Sequence, residues 1–259
     1  MRSMMRILPL IKRELYACFI SPVAYVVLGV LLGIFGYFFY RSLIYYSFLS
    51  LQAGQDASLR AGVNINELII RPLLSNLTLI LVFVTPVLTM RSFSEEKKEG
   101  TLELLLSYPV TRMEVVLAKF AGVLAVLLAA LALTGFHMGI LFLLGEPETP
   151  TILSGYLGLV LLTTAFISIG LLFSSLTENQ VVAAVSAFAC LLLFWTIGWS
   201  ASFAPGRTGT VLGALSVYNR FENFARGVIA TSDVVFFLNF TLFFLFLTYQ
   251  SVKGSFWKR

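Results

Sequence analysis

The stretch Val181-Val-Ala-Ala-Val-Ser-Ala-Phe-Ala-Cys-Leu-Leu-Leu-Phe194 carries no charge and is apolar on every face of a helix. It lacks the alternation of apolar and polar residues that marks a strand of an outer-membrane barrel. The chain has six charge-free stretches of at least 19 residues, and a helix of that length measures about 28 Å, close to the ~30 Å hydrocarbon core of a bilayer. These stretches are 15–40, 72–90, 120–145, 149–177, 179–206 and 234–252. The sequence therefore predicts an all-α protein with six transmembrane helices.

The composition supports this prediction. Of the 259 residues, 58% are apolar and 12% are charged, whereas a soluble domain has roughly 25% charged residues. An ordinary soluble protein is thereby excluded. The first apolar run is longer than the ~7–15 residues of a signal-peptide core, so it is predicted to remain as a span. Trimmed to the length that a bilayer needs, the spans are predicted at 22–41, 70–90, 112–144, 150–176, 178–199 and 232–250, within a single transmembrane domain over residues 1–259.

The basic residues predict the orientation. If both termini are cytoplasmic, the inner segments hold 12 of the 18 Lys and Arg residues and the outer segments hold six. Positive residues collect on the cytoplasmic side of membrane proteins. We therefore expect a multi-pass protein of the bacterial inner membrane with both termini inside. The net charge of +5 follows from this topology, and no nucleic-acid partner is predicted.

Two shorter helices are predicted outside the spans. Residues 5–20 form an amphipathic segment that suits a helix lying in the inner membrane surface, and Ser21-Pro22 ends it. The alternative is one long kinked helix over 5–41. A second helix is expected over 214–230 in the last external loop, with an apolar stripe and an intrahelical ion pair between Glu222 and Arg226. The stripe consists of Val217, Phe221, Phe224 and Val228.

Capping patterns predict where spans three and five begin. Thr111-x-x-Glu114 and Thr177-x-x-Gln180 both have the residues of a capping box, in which a hydroxyl and a Glu or Gln side chain each bond a free amide. Asp233 is expected at the amino end of the last span, where the helix dipole favours an acid.

Catalytic constellations are not found in the sequence. His137 is the one ionisable candidate deep in a span, and we interpret it as a neutral, hydrogen-bonded residue rather than a metal ligand or proton relay. Cys18 and Cys190 are interpreted as structural. The chain has no nucleotide-binding Gly-x-x-x-x-Gly-Lys-Ser/Thr motif. It is therefore predicted not to be an enzyme.

The most informative segment connects spans two and three: Met90-Arg-Ser-Phe-Ser-Glu-Glu-Lys-Lys-Glu-Gly-Thr-Leu-Glu-Leu-Leu-Leu-Ser-Tyr-Pro-Val-Thr-Arg112. Gly100 interrupts it, and Thr101 can cap a new short helix with Glu103 in its first turn. On that helix Leu102, Leu105 and Leu106 share one face, a spacing suited to a groove on a partner protein. The alternative is an interfacial helix that packs these leucines into lipid.

This run resembles the hallmark of the ABC type-2 transporter permeases. Ser174-Ser-Leu-Thr-Glu-Asn-Gln180 matches the same family, as does Phe221-x-x-Phe-Ala-Arg-Gly-Val-Ile229 followed by Asp233. Together with Ser21-Pro22 these motifs are similar to the gliding-motility subgroup. The segment 200–212 follows none of the family patterns.

The resemblance implies a six-span permease subunit, an exporter, that pairs with a second permease, identical or related, and with two copies of a separate ABC ATPase. ATP and Mg²⁺ would be bound by the ATPase, and this chain would bind no cofactor. The residues implied to couple to the ATPase are Glu99, Gly100, Thr101, Leu102, Glu103, Leu105, Leu106, Thr177 and Glu178.

The resemblance also implies that spans two and five line the interface between the two permeases. Their small and polar residues suit such a seam, and Pro86 permits a bend in span two. The seam residues predicted are Ser75, Thr78, Thr85, Ala183, Ser186 and Ala187.

Other functions stay open at this stage. The chain could be a mechanical or scaffolding subunit of a motility, secretion or metalloenzyme-maturation complex that moves no solute of its own. A metal-related role has no ligand cage in this chain to support it. An integral-membrane enzyme is the weakest alternative, because no catalytic set of residues is present.

Overall fold

The computed structural model describes residues 4–55, 64–101, 111–203 and 206–254, and these contain helices and no strand. Within these ranges six helices are long and apolar enough to cross a membrane. The predicted all-α, six-span architecture is therefore confirmed.

Ten α-helices are found in the described ranges. In chain order they are α1 (Met4–Ile20), α2 (Pro22–Gln55), α3 (Arg71–Thr89, preceded by a π-helical turn at Asn66–Ile70), α4 (Arg91–Lys98), α5 (Arg112–Leu144), α6 (Thr149–Leu176), α7 (Gln180–Phe203), α8 (Arg207–Leu215), α9 (Val217–Ala225) and α10 (Thr231–Gly254). The spans are α2, α3, α5, α6, α7 and α10. We call the side that carries α1, α4, residues 177–179 and the end of α10 the terminal face, and the side that carries α8 and α9 the opposite face.

One of the two predicted capping boxes is present. Thr111 Oγ1 accepts from the Glu114 amide at 3.3 Å, and the Thr111 amide donates to Glu114 Oε2 at 2.7 Å. This fixes the start of α5 at the predicted residue, because both free groups at the helix end gain a partner.

The second predicted capping box is wrong. The side chain of Asn179 caps α7 instead, since its Oδ1 accepts from the amides of Val181 at 2.9 Å and Val182 at 3.4 Å. Thr177 Oγ1 accepts from the Asn179 amide at 3.1 Å, within the turn. Asn is as good an N-cap as Thr, and here it delays the start of the span to Gln180.

The first helix matches the predicted segment 5–20, whereas the second is longer than predicted. The helix is interrupted at Ser21, so α1 and α2 are separate helices rather than one kinked helix. However, α2 continues for 34 residues to Gln55, past the predicted end at residue 41. Arg41 alone does not stop a helix, and residues 42–55 contain no proline. On this extension Leu43 and Tyr46 pack against the core.

The opposite face carries two short helices where one was predicted over 214–230. Ser216 separates them and caps α9, accepting from the Asn219 amide at 3.2 Å. Val217, Phe221 and Phe224 are fully buried on the predicted face. Val228 is exposed, because α9 ends at Ala225 and the chain turns away.

Gly227 makes that turn with a φ of +85°. Its amide donates to the Phe224 carbonyl at 3.0 Å, and the Val228 amide donates to the Asn223 carbonyl at 2.9 Å. Glycine adopts this left-handed conformation without the steric cost that other residues incur.

Ion pairs and hydrogen bonds hold α9 to its neighbours. Asp233, which is 2% exposed, accepts from Arg220 Nη1 at 2.7 Å and from Asn223 Nδ2 at 2.7 Å. It therefore does more than face the dipole of α10. Glu222 binds Arg226 at 2.7 Å, as predicted, and also Arg71 at 2.5 Å.

These ion pairs shift the pKa of the Glu222 carboxyl. Burial raises its pKa, but hydrogen bonds from Arg226 and Arg71 outweigh burial and hold the pKa below its ordinary value. The ion pairs of Glu222 therefore stabilise the fold at a pH above the ordinary pKa of this carboxyl, and their contribution is lost as the pH falls through the lowered pKa.

Helix α6 is the centre of the bundle and contacts α3, α4, α5, α7, α9 and α10. Three of its glycines allow close approach of neighbours: Gly155 faces Leu74, Gly158 faces Phe224, and Gly170 faces Thr89. Without a driving force from water, transmembrane helices depend on such close packing.

We predict that Gly158→Ala lowers the thermal stability of the protein in detergent. The added Cβ would lie 2.6 Å from Phe224 Cβ, and overpacking of this kind costs about 1–3 kcal/mol. The matched control is Gly139→Ala in α5, where nothing lies within 4 Å and alanine favours the helix. Equal melting temperatures for the two variants would contradict the close α6–α9 contact.

Candidate functional site

The candidate site lies on the terminal face, where α3 gives way to α4. The Met90 amide still donates to the Pro86 carbonyl at 2.9 Å, so the helical hydrogen bonding continues up to this residue. Helix α4 begins one residue later, and the residue before it offers no side-chain cap. The first amides of a helix need partners from elsewhere.

Ser174 near the end of α6 supplies these partners. Its Oγ accepts from the Phe93 amide at 3.0 Å and from the Ser94 amide at 3.2 Å, and it donates to the Met90 carbonyl at 2.9 Å. The serine is fully buried. Ser174 thus acts as an N-cap for a helix that lies 80 residues away in the sequence.

The end of α6 is capped in return by α4. Lys97 Nζ donates to the Ser175 carbonyl, and Ser251 Oγ from α10 donates to the same oxygen at 3.1 Å. A cation at the carboxyl end of a helix is favoured by the helix dipole. This exchange of caps joins α4 to the end of α6. The two segments that the sequence predicts to couple to the ATPase follow these helices directly: residues 99–106 follow α4, and Thr177 and Glu178 follow α6.

Four charged side chains, which we call the ion cluster, hold α4 from the other side. Lys119 Nζ of α5 lies 2.8 Å from Glu96 Oε1 and 3.5 Å from Glu14 Oε2. Arg13 Nη2 of α1 lies 3.0 Å from Glu96 Oε1 and 3.4 Å from Glu14 Oε1. Lys119 is only 3% exposed and also stands 5.2 Å from the centre of the Phe93 ring.

Burial of the Lys119 charge is tolerated because Glu96 and Glu14 supply the opposite charge. The sequence analysis counted Arg13 and Lys119 only as topology signals and missed their pairing. The signal that could have found it is the position of Lys119, two turns inside a predicted span, where an unpaired cation is costly.

The first three of the predicted ATPase-coupling residues lie at the end of α4. Glu99, Gly100 and Thr101 follow α4 and are exposed. Gly100 has a φ of +70° and its amide donates to the Lys97 carbonyl at 3.2 Å, which ends the helix. Thr101 Oγ1 lies 3.4 Å from the Glu96 carbonyl oxygen.

The remaining predictions are only partly placed. Thr177 is half-buried and Glu178 is exposed, and Glu178 is close enough to Lys97 to stabilise its charge. Leu102, Glu103, Leu105 and Leu106 lie outside the described residues. Their role in docking stays a prediction.

The predicted seam residues lie mostly inside the chain. Thr78, Thr85, Ala183 and Ala187 are buried, while Ser75 and Ser186 are half-buried. Thr78 Oγ1 accepts from Trp195 Nε1 at 3.2 Å, a bond between α3 and α7 of the same chain. These small residues therefore let α3 and α7 approach each other, and the four buried side chains are not at a surface. The nearby surface is formed by Phe83, Val182 and Val185.

Among the described residues, His137, Cys18 and Cys190 belong to no group that could hold a metal ion. The His137 ring packs edge to face with Phe35 and Phe39, and its Nδ1 is buried without a hydrogen-bond partner among the described residues. The expected hydrogen bond is therefore not seen. Cys18 and Cys190 are free thiols. Burial, followed by Glu14, raises the pKa of the Cys18 thiol.

Comparison with known proteins identifies the family. The family model described as ABC-2 family transporter protein matches residues 9–255. The chain is 33% identical over 121 residues to the "Probable multidrug ABC transporter permease YbhS" of Escherichia coli strain K12, which covers 45% of this chain and 30% of the relative. The protein of the same name from E. coli O157:H7 gives the same figures. The chain thus matches less than a third of the length of these relatives.

The family model, in contrast, matches nearly the whole chain. Its range includes all six helices that are long and apolar enough to cross a membrane. Permeases of this family work with an ATPase that is a separate subunit. This multi-pass membrane protein is therefore a member of the ABC-2 family of transporter permeases.

Proposed function

We propose that this chain is the membrane subunit of an ATP-driven exporter in the bacterial inner membrane. Both termini are cytoplasmic, and the terminal face meets the ATPase. The observation that best supports this is the exchange of caps between α4 and α6, because it joins the two helices that lead directly into the segments expected to touch the ATPase, residues 99–106 and 177–178. Two ATPase copies bind ATP and Mg²⁺, and a second permease, identical or related, completes the transporter over one domain, residues 1–259.

The proposed mechanism uses α4 as a lever. When the ATPase subunits close, they displace residues 99–106, and α4 moves with them. Its caps transmit the displacement to α6, and the ion cluster transmits it to α1 and α5. To move a two-state equilibrium from 1:99 to 99:1, ATP must favour one state by about 5.5 kcal/mol.

One observation favours a mechanical subunit as the second candidate. Helix α2 has 34 residues and a length of about 51 Å, well beyond the ~30 Å core of a bilayer. Its far end exposes Phe48 and Leu51, which could touch an envelope protein. A mechanical role would also agree with the resemblance to the gliding-motility subgroup. ATPase stimulation by a solute would favour export, and stimulation only by an envelope protein would favour the mechanical role.

We predict that replacing Leu105 and Leu106 together by Asp separates ATP hydrolysis from transport or releases the ATPase. Charged side chains cannot enter an apolar groove without losing their hydration. Co-purification of the ATPase and transport in proteoliposomes measure the effect. The matched control replaces both residues by Met, which keeps the apolar surface. Wild-type coupling in the Asp variant would disprove the docking role.

We predict that Ser174→Ala loosens α4, whereas Ser175→Ala does not. The first change leaves the buried amides of Phe93 and Ser94 without a partner, at a cost of about 1–3 kcal/mol each. Within the described ranges, the Ser175 hydroxyl bonds only inside its own helix, to the Leu172 carbonyl at 2.7 Å. Hydrogen exchange at Phe93 and Ser94 should accelerate only in Ser174→Ala, and transport per ATP should fall with it. Unchanged exchange would contradict the capping role.

We predict that the seam uses the surface beside the buried small residues. In a variant lacking Cys18 and Cys190, Val185→Cys should form a disulfide-linked dimer in membranes. Val185 on α7 is 60% exposed. The control is Phe246→Cys on α10, which is 54% exposed and should stay monomeric. Crosslinking at Phe246 but not at Val185 would place the seam elsewhere.

A further inference from the structure

A cavity of about 560 Å³ opens on the terminal face beside the ion cluster. Its walls come from α1, the first turn of α2, the end of α3, α4 and the first half of α5. Because these are the ends of three spans, the cavity lies at the level of lipid headgroups. Its volume is in the ordinary range for small-molecule sites, about 300–1,000 Å³.

At the mouth of the cavity, more acidic than basic side chains lack an ion-pair partner among the described residues. Glu95 and Glu99 line it, and neither forms an ion pair with any of the described residues. Glu96 also lines it; its Oε1 belongs to the ion cluster, but its Oε2 is buried and finds no hydrogen-bond partner in the described ranges. A buried carboxylate oxygen without a partner is costly, so a donor in the cavity would stabilise it.

Positive charge at the mouth is also available to a ligand. Arg91 lines the cavity, and the described part of the chain offers it no ion-pair partner. It lies four residues before Glu95 in α4, so the two side chains share one helix face. An ammonium group and a phosphate group carried by one ligand would satisfy both.

The floor of the cavity is apolar. Val23, Ala24, Val87, Leu88, Val123 and Val126 line it, and they lie further inside their spans than the charged residues do. Ala24 and Val123 are each 3% exposed. A ligand that fits both parts has a zwitterionic head and a hydrocarbon tail.

We propose that this cavity binds a phospholipid whose headgroup carries a primary ammonium, as in phosphatidylethanolamine. The ammonium donates to the carboxylates of Glu95 and Glu96, the phosphate pairs with Arg91, and an acyl chain covers the valines. A quaternary ammonium, as in phosphatidylcholine, cannot donate hydrogen bonds to these oxygens. An anionic headgroup, as in phosphatidylglycerol, brings no cation to them.

The binding site touches α4 and α1 at once. The lipid would therefore bridge the helix that leads to the proposed ATPase contact and the helix that lies beside the membrane surface. Lipid binding itself needs neither the ATPase nor transport, so it can be tested on the full chain alone.

The test measures binding of short-chain phosphatidylethanolamine, phosphatidylcholine and phosphatidylglycerol to the purified full-length protein by native mass spectrometry. Phosphatidylethanolamine should bind at least about tenfold more tightly than the other two, which corresponds to about 1.4 kcal/mol. Glu95→Gln should remove most of this preference. The matched control is Glu146→Gln, because Glu146 is an exposed carboxylate on the opposite side of the bilayer.

A second variant tests the cavity without changing charge. Ala17 is exposed at the rim, and Ala17→Phe should lower binding of phosphatidylethanolamine by filling the entrance. Equal affinity for the three lipids, equal effects of Glu95→Gln and Glu146→Gln, or tight binding of free ethanolamine would each overturn the proposal. The last result would mean that the apolar floor plays no part.

Discussion

The hydroxyl of Ser174 is the contact on which the terminal face depends. By accepting from two amides of α4 and donating to the carbonyl before them, it replaces the cap that α4 lacks. In turn, Lys97 of α4 donates a hydrogen bond to the Ser175 carbonyl at the end of α6. Because helix ends have free groups that must be satisfied when buried, neither helix can move without the other. A short helix that would be marginal alone is thereby held as a rigid part of the bundle.

The charged residues complete this arrangement from the opposite direction. The ion cluster connects α1, α4 and α5 through Glu96, which bonds both Arg13 and Lys119. Buried ion pairs add little net stability, but breaking one leaves an uncompensated charge. Such a cluster therefore favours one geometry over others. The same restriction leaves a cavity whose walls are charged at the mouth and apolar at the floor.

The features that could be predicted from the sequence are mainly those that the bilayer imposes on any spanning chain. Charges are expensive in hydrocarbon, so six charge-free stretches located six spans, and the Thr111 capping box located the start of α5. Local patterns failed where two local signals compete or where partners are distant. Arg41 suggested an end that α2 does not have, and Asn179 displaced Thr177 as a cap. The pairing of Arg13 with Glu96, 83 positions apart, has no local pattern at all.

Helix α9 has a consequence for the route that a solute can follow. Val217, Phe221 and Phe224 fill the bundle where α9 meets α3, α6 and α7, and Arg220 ties the helix to Asp233. Withdrawing three such side chains would cost about 1.5–3 kcal/mol each, besides the broken ion pair. A path through the middle of one chain would therefore have to displace these side chains and break this ion pair.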